Sequence, residues 1–471
     1  MNFVHPHFFI FFAIFLCLYF TVKGKLRLGT LLLGSYFFYG YFSIPFCSLL
    51  IASTFFDFTL AKYMEGQQDR KKMWVLLSVV GNLGLLGYFK YHGFFWNDIL
   101  IPLNQWLPIE LEPYKSELPP MGISFFTFQT MSYSIDVYRG KIKASQSLLE
   151  FACYVSMFPQ LVAGPIVRAK DLLPQLKLSH SIRKEDFKIG IKRFIWGFMK
   201  KACLADSLAV LIVDPCFARP ENYTEAYLFY AMIAYSFQIY FDFSGYSDMA
   251  IGVGRMLGFK FPENFNHPYQ SASFSEFWTR WHISLSSWLR DYLYIPLGGN
   301  RKGELRTYVN LLLTMLLGGL WHGASFLFIL WGFIHGLLLV VEKLALKVLP
   351  TRLCERTPKA LKVFWVFMAA SLAWIPFRAG DMDVAYKFYA AITEVEFKDL
   401  LIQFSHFNWS LQLLFCICFI SHFFKKHLVK VMKFESWPME LKACIYASLL
   451  FWMLHYYPEI NTIQPFIYFQ F

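Results

Sequence analysis

The chain has 471 residues, of which 56% are hydrophobic, 20% are aromatic and only 16% are charged, and its mean hydropathy is +0.41. Soluble domains carry about a quarter charged residues, so this composition excludes an ordinary water-soluble protein and indicates a membrane protein. The formal net charge is +12, and the placement of the basic residues accounts for it without a nucleic-acid partner. Lysines and arginines fall in short loops between apolar runs, which is typical of the cytoplasmic loops of multi-pass membrane proteins.

Apolar runs recur along the whole chain. Because one crossing of the bilayer needs about 17–25 residues, we predict about ten to twelve membrane helices, some of them short or re-entrant. The runs are continuous rather than alternating, which favours an all-α fold. Without a long polar linker or a repeat, residues 1–471 are predicted to form one domain. The clearest runs are residues 8–22, 29–42, 45–61, 73–89, 224–241, 307–341, 361–377, 408–424 and 443–457.

The first apolar run is predicted to be a membrane helix and not a cleavable signal peptide. No basic stretch precedes it, and no small-residue cleavage site follows it. The basic KGKLR at 23–27 then predicts an outside N-terminus, and residues 456–471, which lack lysine and arginine, predict an outside C-terminus. Nine cysteines without a CxxC pair are interpreted as packing residues, not as metal ligands.

Polar residues follow the apolar run that ends at residue 241. Asp242 is predicted to bond a nearby tyrosine or to line a polar path, and Asp248 to cap a helix. Glycines in the same stretch permit close helix packing. The segment ENFNHPY, residues 263–269, contains Asn264 and is predicted to be a loop that fixes the entry to the next helix.

Residues 274–296 have the periodicity of one amphipathic helix at the membrane interface. Tryptophans and leucines share one face, whereas charged residues share the other, and glycines end the pattern at 298–299. Trp281 is on the apolar face, and His282 is at its edge. Because the basic loop at 299–306 is predicted to be cytoplasmic, His282 is expected near the inner surface. It is either an interfacial histidine bonded to a neighbour or a ligand at a cytoplasmic opening.

The run 307–341 places His322 in an almost entirely apolar environment. Basic segments flank the run on both sides, at 299–306 and 342–362, so it must enter the membrane and return. Glycines at 318, 319 and 323 predict the break. We therefore predict a glycine-broken hairpin, or two half-length helices, with its turn at membrane depth and His322 at that turn.

A histidine at membrane depth is either a functional residue or a structural hydrogen-bonding residue. The glycine-broken backbone and the flat ring of Trp321 favour a functional role for His322. Even with these features, the residues alone leave the functional and the structural interpretation about equally open. A neutral buried imidazole can take a proton from an alcohol that attacks an activated acyl group, and this chemistry needs no metal. His335 lacks such a setting and is interpreted as a packing residue.

Several long motifs in this order resemble the membrane-bound O-acyltransferase family, in particular the branch associated with alginate O-acetylation. The resemblance covers nearly the whole chain. It is carried by SFFTFQTMSYSIDVYRG (124–140), FPQLVAGPIVRA (158–169), FDFSGYSDMAIGVGRMLGFKFPENFNHPY (241–269), FWTRWHISLSSWLRDYLYIPLGGNRKG (277–303), LLLTMLLGGLWHGASFLFILWGFIHG (311–336) and PFIYFQF (465–471).

The resemblance implies a ring of membrane helices around a thin core, with a funnel to a catalytic histidine. The family's invariant histidine corresponds to His322, and its second histidine corresponds to His282. Trp321, Trp281, Asp242 and Asn264 are expected to line the substrate. The implied activity is transfer of an acyl group, most simply acetyl, from a cytoplasmic thioester such as acetyl-CoA toward an extracellular polysaccharide hydroxyl. No bound cofactor is expected.

The same resemblance implies a bacterial inner-membrane location, a periplasmic acetyltransferase partner and polysaccharide-export machinery. Three alternatives remain at this stage. D-alanyl transfer to teichoic acid uses the same family fold. A transporter or channel also has broken helices, although it should carry a second one in its other half. A structural scaffold would tolerate changes at both His282 and His322.

Overall fold

The computed structural model describes residues 1–103, 111–114, 119–177, 183–350 and 355–424, together with 438, 440, 444, 447–448 and 466–467. Within these residues every regular element is helical and no strand occurs, so the all-α prediction is confirmed. The predicted last membrane run, 443–457, and the chain end fall mainly on residues outside this set.

The described chain divides into two compact units. The first comprises Met1–Ile195 and Ser247–Glu263, and the second comprises Trp196–Tyr246 and Asn264–Phe471. The sequence analysis predicts one domain over 1–471 and finds no boundary. The division falls within two long helices, α9 (Lys184–Met199) and α10 (Glu225–Met256), and between Glu263 and Asn264 at the start of the short ENFNHPY loop, so no long polar linker marks it.

The first unit contains most of α9, from Lys184 to Ile195, the C-terminal end of α10 and eight helices before them. These eight are α1 (Pro6–Thr21), α2 (Gly24–Gly40), α3 (Ile44–Gly66), α4 (Gln68–Leu103), α5 (Ile123–Tyr138), α6 (Leu148–Ser156), α7 (Phe158–Leu161) and α8 (Ala169–Lys177). Local sequence sets the helix starts. For example, Ser43 caps α3 by accepting a hydrogen bond from the backbone N–H of Phe46, and Pro45 occupies the first turn.

A buried carboxylate joins three helices of the first unit. Asp57 of α3 is wholly buried and accepts hydrogen bonds from Ser78 at 2.5 Å, from Asn82 at 2.9 Å and from Ser134 at 3.3 Å. Such bonds are required because a buried carboxylate without donors is costly. In the same unit Asp248 pairs with Arg193 at 2.8 Å, well inside α10, and so it does not cap a helix as predicted.

The second unit begins with the end of α9, which continues through short π- and α-helical turns to residue 218, and with most of α10. Its other helices run from residue 274 to residue 423. They are α11 (Phe274–Arg280), α12 (Ile283–Leu289), α13 (Glu304–His322), α14 (Phe326–Val348), α15 (Lys359–Arg378), α16 (Met382–Glu394), α17 (Phe397–His406) and α18 (Trp409–Phe423).

Four described helices are long and apolar enough to cross a membrane: α3, α4, α14 and α15. The pair α17 and α18 would pass together as one broken span with a bend of 118°, and α1 is apolar but shorter. The chain is therefore a multi-pass helical membrane protein by length and composition. The total of ten to twelve membrane helices stays a prediction.

Helices α13 and α14 form a tight antiparallel pair in the second unit. Lys347, near the end of α14, forms an ion pair with Glu304, at the start of α13. A Cβ atom on Gly319 would collide with the carbonyl oxygen of Phe328, and one on Gly332 with that of Met315. The two backbones thus approach so closely that only glycine fits.

The position of the break differs from the prediction. Gly318 and Gly319 lie inside α13, and the helix ends only at His322, before an extended Gly323. Ser325 then starts α14 by accepting a hydrogen bond from the N–H of Leu327 at 3.1 Å. With 19 residues, α13 is about 28 Å long at 1.5 Å per residue, so it is no half-length helix. The two earlier glycines serve helix packing, and a spacing argument cannot distinguish packing from breaking.

Candidate active site

His322 is the last residue of α13, at the turn of the hairpin. Its side chain is buried and three aromatic rings surround it. The ring centroids of Trp321, Trp331 and Phe377 lie 5.0, 5.0 and 5.1 Å from that of the imidazole, all in edge-on arrangements. The rings come from α13, α14 and α15, so three helices build this aromatic wall around one ionisable group.

His282 interrupts the helix that the sequence predicts over 274–296. α11 ends at Arg280, His282 adopts a left-handed backbone conformation with φ of 41° and ψ of 55°, and α12 starts at Ile283. The left-handed region costs a non-glycine residue about 1–2 kcal/mol, so the surroundings must hold it. The hydrophobic periodicity continues through the break, and for this reason it predicts a single helix.

Asn264 supplies the hydrogen bonds that hold the break. Its backbone carbonyl accepts the N–H of Ile283 at 2.9 Å. Its side-chain Oδ1 lies 3.2 Å from Nδ1 of His282 and also accepts the N–H and the hydroxyl of Ser284, at 3.2 and 2.9 Å. The loop at 263–269 therefore fixes the histidine itself, and its predicted contact with substrate stays a prediction.

These bonds define the protonation of the His282 ring. An amide oxygen only accepts hydrogen bonds, so Nδ1 carries the hydrogen and Nε2 carries the lone pair. Burial lowers the pKa of His282 to about 3, because a charged imidazole would lose its hydration there. At neutral pH the ring is therefore an uncharged imidazole whose Nε2 is the basic atom.

Trp321 contacts both histidines. Its ring centroid lies 5.0 Å from that of His322 and 6.0 Å from that of His282, which is wholly buried. The two histidines that the sequence singles out thus share one aromatic neighbour within the second unit, although they are 40 positions apart in the sequence. The spacing of the sequence alone does not predict this proximity.

The other predicted site residues have different surroundings. Trp281 is buried, with its ring centroid 4.8 Å from that of Trp374, inside an aromatic core. Asp242 is paired with Lys201 at 2.5 Å. Their predicted contact with substrate stays a prediction. His335 is buried among aromatic rings, and both of its ring nitrogens lack a hydrogen-bond partner among the described residues.

Sequence reasoning missed Trp331, Phe377 and Lys201. In the sequence, Trp331 and Phe377 are ordinary residues of apolar helices, and no local sequence pattern connects them to His322. Lys201 follows another lysine at the end of a basic amphipathic stretch, which indicates a solvated face rather than a buried ion pair. Among the described residues, no group of three or more His, Cys, Asp or Glu side chains is placed to hold a metal ion.

The sequence profile of the membrane-bound O-acyltransferase family matches residues 118–377, which is more than half of the chain. The chain belongs to this family. The matched part contains both His282 and His322. As a member of the membrane-bound O-acyltransferase family the protein is an enzyme, and this membership decides against the transporter, channel and scaffold interpretations.

Individual relatives extend this similarity over most of the chain. A probable alginate O-acetylase of Pseudomonas putida is 45% identical over 391 residues, which are 82% of this chain and 78% of the relative. The probable alginate O-acetylase of Azotobacter vinelandii is 46% identical over 391 residues, 82% and 76% of the two chains. A peptidoglycan O-acetyltransferase of Helicobacter pylori is 36% identical over 386 residues, 76% and 72% of the two chains.

Proposed function

We propose that this membrane O-acyltransferase moves acetyl groups from a cytoplasmic thioester, acetyl-CoA or another acyl thioester, to a hydroxyl of an extracellular or periplasmic polysaccharide. The acceptor polymer is alginate or a similar exopolysaccharide, reached directly or through a periplasmic acetyltransferase partner. The shared O-acetyl transfer in the names of the similar proteins supports the acetyl group. The basic loops support a donor on the cytoplasmic side.

His322 is the general base of the proposed reaction. The imidazole takes the proton of the acceptor hydroxyl while the oxygen attacks the carbonyl carbon of the thioester. The new C–O bond forms, the C–S bond breaks, and the leaving thiolate takes up the proton that the imidazole received. General base catalysis of this kind contributes about 10²–10⁴ in rate. His282, whose Nε2 carries a lone pair, contacts the donor on the cytoplasmic side.

One observation carries this proposal. His322 lies at the end of a helix, inside a wall of three aromatic rings, and one of these rings, Trp321, also contacts His282. An aromatic wall of this kind limits the access of water that would otherwise hydrolyse an activated acyl group.

The enzyme is proposed to reside in the inner membrane of a bacterium with both termini outside. Polysaccharide-export machinery and a periplasmic acetyltransferase would then receive or finish the product. The family resemblance implies these partners, and they are part of the proposal.

The test is transfer of label from radioactive acetyl-CoA to polysaccharide in isolated membranes. We expect His322→Ala to lower the initial rate by about 10²-fold or more. His335→Phe is the matched control, since it also removes a buried imidazole but keeps a ring among the same aromatic neighbours, and it should retain most of the rate. An unchanged rate in His322→Ala would refute the base assignment.

A second acceptor is favoured by one observation, the similarity to a peptidoglycan O-acetyltransferase. Chemical analysis of acetyl esters in purified exopolysaccharide and in purified peptidoglycan, from cells with and without the gene, distinguishes the two acceptors. The D-alanyl alternative predicts alanyl esters instead of acetyl esters in the same analysis. The expected result is loss of acetyl esters from the exopolysaccharide alone.

A further inference from the structure

Three charged side chains are buried together in the second unit. Nζ of Lys201 lies 2.6 Å from Oδ1 of Asp206 and 2.5 Å from Oδ1 of Asp242, and the three side chains are 4%, 9% and 3% exposed. Charges removed from water have to be paired, so the ammonium and the two carboxylates hold one another in place. Because Asp242 belongs to α10 and Lys201 to the π-helical stretch Lys200–Ala205, the group ties these two elements together.

The second carboxylate oxygen of Asp242 binds the C-terminal part of the chain. Oδ2 accepts the backbone N–H of Ile467 at 2.9 Å, across 225 positions of sequence. Ile467 is buried, and a buried backbone N–H requires an acceptor. One carboxylate therefore neutralises Lys201 with one oxygen and fastens residue 467 to α10 with the other.

The side chain of Phe466 completes this attachment. It is wholly buried, and its ring centroid lies 4.5 Å from that of Tyr246 and 5.7 Å from that of Phe243. Positions 243 and 246 are neighbours on one helix face, one turn apart. The ring of Phe243 also meets the imidazole of His282 edge-on, with centroids 4.6 Å apart. Phe243 thus contacts both Phe466 and His282.

We propose that residues 466 and 467 are a structural part of the active site, anchored by Asp242, and that Phe466 positions His282 through Phe243. Asp242 and Phe466 are positioning residues, since neither touches the reacting atoms. The left-handed backbone at His282 needs support from several neighbouring side chains. Phe243 is one of them, and Phe466 packs against Phe243. This inference rests on the proposed function only in assigning His282 a part in acyl transfer.

The first test measures how exposed the His282 ring becomes. Diethyl pyrocarbonate acylates accessible imidazoles, and mass spectrometry of the peptide that contains His282 gives its rate of modification in the full-length protein in detergent. We expect Phe466→Ala to raise this rate about tenfold, which corresponds to about 1.4 kcal/mol of lost protection. Asp242→Asn, which removes the charge but keeps the size, should also raise the rate of His282 modification.

Matched variants keep this test independent of general damage. Phe388 is also wholly buried, and its ring stacks on Phe217 with centroids 4.0 Å apart, without a ring contact to His282 among the contacts described. Phe388→Ala should leave the His282 rate at the wild-type level. Phe466→Leu, a conservative apolar replacement, should restore it to within about twofold. An increase that is equal in Phe466→Ala and Phe388→Ala would overturn the proposal.

The second test is a double-mutant cycle on the transfer rate. If Phe466 acts through His282, the double variant Phe466→Ala with His282→Asn should be no slower than His282→Asn alone. Losses that multiply would contradict the positioning role. For the control pair, Phe388→Ala with His282→Asn, multiplying losses are the expected result, because Phe388 acts independently of His282. The modification test needs no enzymatic activity, so it still decides the inference if the labelled-acetyl assay refutes the proposed function.

Discussion

His282 and His322 are both buried beside Trp321 and both contact aromatic rings, and a hydrogen bond to Asn264 is the additional contact described for His282. Hydrogen bonds hold His282: Asn264 binds its Nδ1, and the neighbouring Ser284 shares the same amide oxygen. Aromatic rings surround His322, with Trp331 and Phe377 completing the wall. The first arrangement fixes a tautomer and a ring orientation, whereas the second excludes water and limits the shape of what can approach.

The comparison teaches that the two sites should fail in different ways. A lost hydrogen-bond acceptor near His282 leaves buried donors unpaired and disturbs orientation. A lost ring near His322 leaves a cavity that water or a bulkier ligand can enter. Variants at the two places can therefore be separated by measuring stability and transfer together.

The largest effect is expected for Trp331→Ala. Removing a buried tryptophan side chain should lower the free energy of unfolding by about 3–5 kcal/mol and open the wall beside His322. Thermal unfolding in detergent and the acetyl-transfer rate are the measurements. Trp365→Ala, at a side chain that is 62% exposed, is the control and should change both very little. A stable, fully active Trp331→Ala would mean that the wall has no role.

Asn264→Ala should have the next largest effect. Three donors lose their common acceptor, and each unpaired buried donor costs about 1–3 kcal/mol, so a loss of at least about 3 kcal/mol is expected. The transfer rate should fall as well, because the His282 ring loses its orientation.

Asn408→Ala is the control for this variant. It removes a helix cap that binds the N–H of Leu411 at 2.9 Å, which is worth about 0.5–2 kcal/mol. It should leave the transfer rate per folded molecule unchanged. If Asn264→Ala behaves in the same way, the assignment of Asn264 as the support of His282 is wrong.

A smaller effect is expected for Gly319→Ala, which tests how the hairpin holds His322. The new methyl group would meet the carbonyl of Phe328, so α13 and α14 must separate, at a cost of about 1–3 kcal/mol. Gly84→Ala provides the contrast. It lies in a helix with open space around it and should stabilise by about 0.4–1 kcal/mol. Equal stability changes in the two variants would show that the close approach is absent.

The smallest effect concerns pH. His282 has a pKa near 3 in the folded protein against 6.5 as its ordinary value, so the unfolded chain binds the proton first as the pH falls. The stability that comes from neutral His282 is therefore complete above about pH 6.5 and is lost on acidification, by about 1.4 kcal/mol per pH unit. Unfolding temperatures at pH 7 and pH 5 should differ less in His282→Asn than in the wild type. Identical pH dependence would contradict this.

The sequence already named both histidines of the candidate site, His322 from its local setting and from the family resemblance, and His282 mainly from the resemblance. His322 lies next to glycines in an apolar run, and the flanking charges predict that the run turns back. The break at His282 was not predictable, since apolar periodicity continues across it and the bonds that stabilise it come from Asn264 in another segment. The same limit explains why Gly319 was predicted to break a helix that it instead allows to pack.

The all-helical membrane architecture follows from composition and run length, which are averages over many residues. The division into two units depends on which segments of the chain contact one another, and a contact pattern of this kind leaves no mark on local composition. The aromatic wall likewise combines Trp321, Trp331 and Phe377 from three helices. Such a combination is a property of packing and not of any single segment.

The most direct test of the account is the acetyl content of the exopolysaccharide made by cells that carry either wild-type enzyme or His322→Ala, with equal amounts of protein in the membrane. The account predicts that acetyl esters fall to the level of cells without the gene in His322→Ala, whereas His335→Phe retains them. Wild-type acetylation in the His322→Ala cells would contradict the central claim that this histidine is the base of the acyl transfer.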